Sequence, residues 1–494
     1  MPHDLAGKEQ AVARFLGYHM ILPGKSVRRQ TAGEKMLVKD IVKITNGKLL
    51  SGNPCSRITP SKISTDSRSI KKGGFFIALS GANFDGNNFA ADVFKKGACG
   101  AIVSGPRRPV TNSRQIVIKV RDTTRALQDI AAYHRRRFRI PVICVTGSNG
   151  KTTVKDMIWH LLSAKYNILR SEGTKNNHIG VPQTLLKLDP KHDLCVLELG
   201  TNHKGEIDSL AAIARPAVAV FTNIGPSHLE FLGGLEGVFA AKKEILKHLD
   251  KRNGLVVANG DDRLLSRIGA KNFKLIRYGF GRSSDLRAEA LDPGLNKAVF
   301  IVNNRMIFEL GLFGRHNIYN ALAAIAVALH FGIPHKVIRE TLLDYRPARM
   351  RLELQKASGI DILNDSYNSN PLSMAKALEV IRHYPAKARW VVSGDMLELG
   401  SGSARFHKMI GGTIARSGVE GLVTFGEFSK HTLSQAGAEG MKPDRLWHCS
   451  THDEIAQILR KLAKPGDVVL LKGSRSMQME KVLEKLNSKF EFSI

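Results

Sequence analysis

The sequence predicts an α/β protein of three domains, organised around a mostly parallel central sheet of phosphate-loop type. Three observations carry this. Ile140 to Val145 is a continuous apolar run rich in β-branched residues, the mark of a buried strand, and it leads into Gly147-Ser148-Asn149-Gly150-Lys151-Thr152-Thr153. The apolar runs Leu194 to Leu199 and Ala217 to Thr222 alternate with helical stretches, as parallel strands joined by crossover helices do. At 494 residues the chain also exceeds what a single hydrophobic core organises.

Residues 1–35 are polar and basic apart from Phe15 to Leu22. They read either as a flexible extension or as the product of a start upstream of Met36. Residues 36–138 form a smaller mixed strand-and-helix block ending in a basic helical stretch. Block 139–345 holds the central sheet. Within it Lys151 to Ala164 has helical periodicity, Val299 to Leu312 reads as a hairpin around Asn303-Asn304, and an Ala-rich helix runs from Asn317. In block 346–494, strands near Trp390 to Ser393, Leu422 to Phe425 and Val468 to Leu471 are each followed by a helical segment.

Composition narrows the function classes. No stretch approaches the ~18 uninterrupted apolar residues of a membrane span, and the N-terminus lacks the basic, apolar, small-residue order of a signal peptide. Membrane insertion is therefore not expected, and a cytoplasmic location is. Cys55, Cys99, Cys144, Cys195 and Cys449 are scattered without metal-like spacing, which suits reduced thiols. The formal net charge of +30 fits either nucleic-acid binding or a solvated basic surface that steers anionic substrates. With no nucleic-acid module or aromatic-interleaved basic stripe, nucleic acid is not the expected partner.

The loop carries the first chemistry. Strand, loop and helix in succession aim backbone N–H groups and a helix N-terminus at a phosphate. Lys151 then meets the β- and γ-phosphates, and Thr152 ligates Mg²⁺. The general phosphate loop has four residues between its glycines; here two separate Gly147 from Gly150, and Val145 stands where the earlier glycine would be. Glu198 closes its apolar run in ELGTNHKGEI, where a carboxylate can hold the nucleotide's metal, and His228 in TNIGPSHLEFLG can add a second ligand. Taken singly, a surface Glu and a satisfied loop His are the alternatives.

Together these segments resemble the Mur ligases of peptidoglycan synthesis, whose loop reads G-T-N-G-K-[ST]-[ST]. The resemblance runs from Met36 to the C-terminal region. TKNNHIGVPQTLL (174–186), ELGTNHKGEI (198–207), NDSYNSNPLSM (364–374), SGDMLELG (393–400) and LKGSRSMQMEK (471–481) are similar to the members that add D-alanyl-D-alanine to UDP-N-acetylmuramoyl-tripeptide. The resemblance implies an ATP- and Mg²⁺-dependent amide-bond ligase working through an acyl phosphate. It also implies a UDP-sugar domain at 36–138, an ATP-binding domain at 139–345 and a Rossmann-like C-terminal domain at 346–494. A monomer is expected.

Residue by residue, the resemblance implies uridine or diphosphate contacts by Ser67 and Arg68 in STDSRSIKKGGFFIALSGANFDGNNF (64–89), with Asp85 and Gly86 shaping the next loop. A capped turn at Asp66-Ser67-Arg68 is the structural alternative. It implies Lys151 and Thr152 at the phosphates, Glu198 and His228 at two Mg²⁺ ions, and Asn176 and Asn177 near the γ-phosphate and acyl substrate. Asn317 and Asn320 match a nucleotide-contacting helix start, although Asn317 could equally be a helix cap. Lys242 matches a carbamylated lysine, an anion that can bridge to Mg²⁺. In the third block Arg351 is similar to an arginine at the nucleotide phosphates and Asp365 to an acid at the ribose, with Tyr367, Asn368 and Asn370 beside them. Lys472, Gly473, Ser474 and Arg475 are expected to open a helix toward an anionic group. A sister Mur ligase adding another amino acid would share the loop, Glu198 and His228 but not the last two segments. A basic nucleic-acid-binding NTPase would need no dipeptide.

Overall fold

A computed structural model describes residues 35–487, apart from 82–83, 106–113, 271, 293–296, 313 and 358. The expected basic extension, save Lys35, lies outside the described residues. Three sheets of five or more strands follow one another along the chain. The first comprises β1 (Lys48–Ser51), β2 (Ile63–Ser64), β3 (Phe75–Ile77), β4 (Gly100–Val103) and β5 (Ile116–Lys119), in the order β1-β5-β4-β3-β2. Helix α1 (Thr123–Arg136) leaves it, capped by Asp122, whose carboxylate accepts from the N–H groups of Thr124 and Arg125.

The central sheet has nine strands. They are β6 (Val142–Thr146), β7 (Ile168–Arg170), β8 (Leu194–Glu198), β9 (Val218–Phe221), β10 (Leu255–Asn259), β11 (Lys274–Gly279), β12 (Leu286–Asp292), β13 (Ala298–Val302) and β14 (Met306–Leu310). The order is β7-β8-β6-β9-β10-β11-β12-β13-β14, parallel through β12 and antiparallel over the last two pairings. The reason β6 is apolar throughout is visible in its packing. Val142 and Cys144 enter one core with Leu210 and Ala214 of α3 (Glu206–Ala214), while Ile143 and Val145 enter another with Met157 and Leu161 of α2 (Lys151–Leu162). Helices on both faces leave no side that could be polar. The first of these cores runs on into the N-terminal domain through Phe75, Leu127 and Ile130.

The hairpin β13–β14 turns at Asn303 and Asn304, both left-handed (φ 51° and 55°), a conformation Asn tolerates better than most residues. The Ala-rich helix, expected from Asn317, begins at Arg315 and is α5 (Arg315–His330) with Gly314 at its cap. The third sheet contains β15 (Glu353–Ala357), β16 (Ile360–Asn364), β17 (Arg389–Gly394), β18 (Gly421–Phe425), β19 (Leu446–Cys449) and β20 (Val468–Lys472), ordered β15-β16-β20-β17-β18-β19. Only β15 runs antiparallel to its neighbour. Helix α6 (Pro371–His383) follows β16.

One expectation is corrected here. Lys472 to Arg475 do not open an α-helix: Arg475–Met477 form a single 3₁₀ turn, Gln478 is left-handed (φ 50°), and the helix starts at Glu480. Among the described residues no helix is long and apolar enough to cross a membrane.

Candidate active site

The carboxyl ends of β6, β8 and β9 face the C-terminal domain across a cavity of about 810 Å³. Ligands of open α/β sheets gather at such ends. The loop after β6 is shaped by two glycines. A Cβ on Gly147 (φ 146°) would lie 1.9 Å from Thr222 Oγ1, and one on Gly150 (φ 80°) 2.5 Å from Asn320 Oδ1. Gly147→Ala is expected to destabilise the protein by about 1–3 kcal/mol from backbone strain alone, measured by urea unfolding, and to abolish nucleotide binding, measured by equilibrium titration.

The loop is narrower as an anion site than its sequence implies. The N–H groups of Ser148 and Asn149 already donate to Asn223, to its carbonyl at 2.8 Å and its Oδ1 at 3.0 Å. The Ser148 hydroxyl is turned away and donates to Gly225 O at 2.9 Å. This leaves the N–H groups of Gly150, Lys151, Thr152 and Thr153, at the start of α2, without protein partners among the described residues. Lys151 folds back on its own loop, donating to Gly147 O (3.0 Å) and Ser148 O (3.2 Å). Burial lowers its pKa and the nearby Glu198 opposes that shift.

Glu198 ends β8, almost wholly buried. It accepts from the Thr152 hydroxyl at 2.8 Å and from Asn176 Nδ2 at 2.7 Å. Arg351 reaches across from the C-terminal domain to donate to Thr152 Oγ1 at 3.1 Å, its guanidinium over the Tyr367 ring at 4.1 Å. Asn177 lines the same cavity, but its Oδ1 is occupied by the N–H groups of Ile179 and Gly180. Asn317 is the third residue of α5, not its cap, and its Oδ1 accepts from Asn320 Nδ2 at 3.0 Å.

His228 and Glu398 are both left-handed (φ 52° and 61°), and Nδ1 of the first lies 2.5 Å from the carboxylate of the second. Non-glycine residues held this way mark a point where surrounding structure overrides local preference. On α4 (Leu235–Lys243), Lys242 points inward and is almost fully buried, whereas Lys243 is exposed beside the Phe239 ring. No hydrogen bond or ion pair reaches the Lys242 amine among the described residues. Burial holds its pKa well below the ordinary value, and the charge of Lys151 lowers it further.

In the third domain, Asp365 forms an ion pair with the buried Lys472, which also donates to Asn368 O at 3.0 Å. Two residues with separate expected roles are thus one unit, with the lysine's charge already balanced. Ser474 Oγ accepts from the Leu397 N–H at 2.8 Å, and Arg475 pairs with Glu480 at 2.7 Å. Asn370 caps α6 and exchanges two amide hydrogen bonds with Asn149, at 3.2 and 2.8 Å. Ser67 and Arg68 stand apart from the cavity. Asp66 and Arg68 close the capped turn through a side-chain pair at 2.9 Å and a backbone bond at 3.0 Å. Their segment is joined to 174–186 by Gln183 Nε2 donating to Thr65 Oγ1 at 2.6 Å.

The cavity residues that the sequence did not single out include Asn223, His316, Lys376 and Glu398. His316 immediately precedes Asn317, which the sequence did single out. Burial and the charges of Lys376 and Lys472 push its imidazole down to about 3. Among the described residues no cluster of three or more His, Cys, Asp and Glu side chains forms a metal cage. A nucleotide-bound Mg²⁺ needs none, because it takes one or two carboxylates and fills its octahedron with phosphate oxygens and waters. Glu198 beside Thr152 offers that set.

Three family models match the chain: Mur ligase family, catalytic domain, over residues 60–135; Mur ligase middle domain, over 145–328; and Mur ligase, glutamate ligase domain, over 350–475. The UDP-N-acetylmuramoyl-tripeptide–D-alanyl-D-alanine ligase of Bacillus subtilis is 35% identical over 456 residues, covering 92% of this chain and 98% of that relative. The enzyme of the same name from Escherichia coli is 35% identical over 461 residues, covering 91% and 98%. A crystal structure of MurF from Acinetobacter baumannii superposes with a TM-score of 0.82 at 33% identity, covering 92% of this chain and 99% of that one. MurF ligase from Thermotoga maritima, solved in complex with ADP, gives 0.77 at 26% identity, covering 86% and 96%.

Proposed function

The chain belongs to the Mur ligase family, and on that premise we propose that it joins D-alanyl-D-alanine to UDP-N-acetylmuramoyl-tripeptide, converting ATP to ADP and phosphate. It is an ATP-dependent amide-bond ligase. The observation that carries the reading is the single cavity in which the start of α2, the carboxylate of Glu198 and Arg351 of the C-terminal domain converge.

The chemistry follows from what those groups can do. A carboxylate is a poor electrophile, so the tripeptide's terminal carboxylate attacks the γ-phosphorus of ATP and ADP leaves, giving an acyl phosphate. The amine of D-alanyl-D-alanine then adds to the acyl carbon; phosphate departs and the amine proton is lost to solvent or base. Unbonded N–H groups at Gly150 to Thr153, with Lys151 released from its own loop, suit the phosphates. When bound, Mg²⁺ supplies charge neutralisation of the transferring phosphoryl group, held by Thr152 and Glu198. His228 and Lys242 fit a second ion only if the Lys242 amine is carbamylated, since a bare ammonium would repel it. A buried, unpaired amine with a depressed pKa is the nucleophilic form that CO₂ requires. Arg351, Asp365, Tyr367 and Asn370 from the third domain cover the nucleotide side and exclude water from the acyl phosphate.

The Thr65–Gln183 bond supports a UDP-sugar lying along the N-terminal domain near Ser67 and Arg68, with its peptide passing Asn176 and Asn177 into the cavity. All these groups come from one chain, which supports action as a monomer, and nucleotide-linked substrates suit the cytoplasm. Phosphate release from ATP is expected only with UDP-N-acetylmuramoyl-tripeptide and D-alanyl-D-alanine together, with the amide product detected by mass spectrometry. Equal turnover with glutamate or a lone amino acid would sink this assignment.

A further inference from the structure

The positive charge of the chain has a focus that the ligase reaction does not use. At the opposite end of the central sheet, where β6, β9 and β11 begin, lies a second cleft of about 950 Å³. Its lining contains seven Lys and Arg residues and one carboxylate, Asp250, which is engaged with the N–H groups of Arg252 and Asn253. Arg136, Arg139, Arg215 and Lys251 are exposed on its walls, and among the described residues no carboxylate lies within ion-pair distance of any of them. Arg135 is buried behind them and donates only to backbone carbonyls, of Ala214, Phe138 and Ile140, at 2.7–2.9 Å. A buried guanidinium ordinarily comes with an anion.

Local structure accounts for part of this charge only. Helices α1, α3 and α5 end at the cleft, and each C-terminus brings roughly half a negative charge. Lys247 is paired with Asp208 at 2.9 Å, but Arg135, Arg136, Arg139, Arg215 and Lys251, with one carboxylate in the lining, still exceed that. The shape and lining select among anions. The cleft is concave and of a size that holds a small molecule. Its Phe138 and His330 are buried, and its half-buried His248 is engaged with Asp208 at 2.6 Å, so a nucleobase meets no open aromatic face. None of the large exposed apolar side chains lines it, so nothing there would enter a lipid layer.

We propose that this cleft binds a small anion carrying two or more phosphate groups, at a site separate from the ligase cavity. Calorimetric titration of the full chain with tripolyphosphate at low ionic strength tests it. Three proteins are compared: the wild type, Arg139→Glu with Lys251→Glu, and Lys151→Met. The expected result is binding that persists in Lys151→Met, falls at least tenfold in the charge-reversed pair, and weakens with added salt as exposed charges do. Ligase turnover of the charge-reversed pair should stay within twofold of wild type, which also certifies its fold; Arg139→Ala with Lys251→Ala gives a milder second pair. Absence of binding by the wild type, or affinity lost in Lys151→Met and kept in the charge-reversed pair, overturns the proposal. Sedimentation with phosphatidylglycerol vesicles separates the other source of phosphate. Vesicle binding lost in the charge-reversed pair, with no affinity for tripolyphosphate, would assign the cleft to a lipid surface and overturn it as a free-anion site.

Discussion

Glu198→Gln is expected to lower ligase turnover by roughly 10²–10³-fold, the scale found when one preorganised charge or donor is removed from a polar reaction centre. The substitution keeps the size of a side chain that is almost fully buried, and an amide can still accept from Asn176 and meet the Thr152 hydroxyl. The fold should therefore persist, with an unchanged unfolding midpoint. What disappears is the negative charge beside Thr152 at the end of β8. The loss should be partly reversible by raising Mg²⁺, because a weakened metal site is refilled by mass action. Turnover measured across a Mg²⁺ series decides the matter. A variant within tenfold of wild type at every concentration would mean that Glu198 only positions Thr152.

Lys242→Ala is expected to cost turnover on the order of a hundredfold or more, and bicarbonate should not restore it, because no amine remains to carry CO₂. Wild-type protein incubated with ¹³C-bicarbonate should show a carbamate resonance that the variant lacks. Full activity in the variant would remove the carbamate assignment. The same residue gives a pH dependence of stability in bicarbonate-free buffer. Burial holds the folded amine well below its ordinary pKa, while the unfolded chain keeps the amine protonated up to that ordinary value. Between the two values the unfolded state binds the extra proton, so stability rises with pH across this window and is lost as pH falls. Lys242→Met carries no such group. Its advantage over wild type in urea unfolding should widen toward acid pH, and an advantage that does not change with pH would contradict the buried-amine picture.

How much of this was legible in the sequence depended on how local each signal is. The strand before the phosphate loop could be read because helices on both faces make all of β6 apolar. The hairpin could be read because two consecutive Asn residues accept left-handed backbone. The Asp365–Lys472 pair could not, since 107 residues separate its members and only the adjacency of β16 and β20 brings them together. Nor could the occupation of two loop N–H groups by Asn223, which depends on the distant end of β9. The helix start misassigned to Lys472–Arg475 shows the limit of reading a glycine after a strand as an anion cradle: Gln478, in left-handed backbone, delays the helix to Glu480. The charge of +30 was countable in the sequence. Its gathering at the amino ends of the central strands was not, because the ends of α1 and α3, the 247–251 segment and the start of β11 deliver those residues from separate stretches.

The paired amides of Asn149 and Asn370 tie the phosphate loop to the first turn of α6. Each such neutral bond contributes only about 1 kcal/mol net, so this joint favours the docked arrangement of the two domains by about 2 kcal/mol. A ligand in the space between them that binds the two arrangements with affinities differing by a similar free energy would therefore be enough to shift the domains from one to the other.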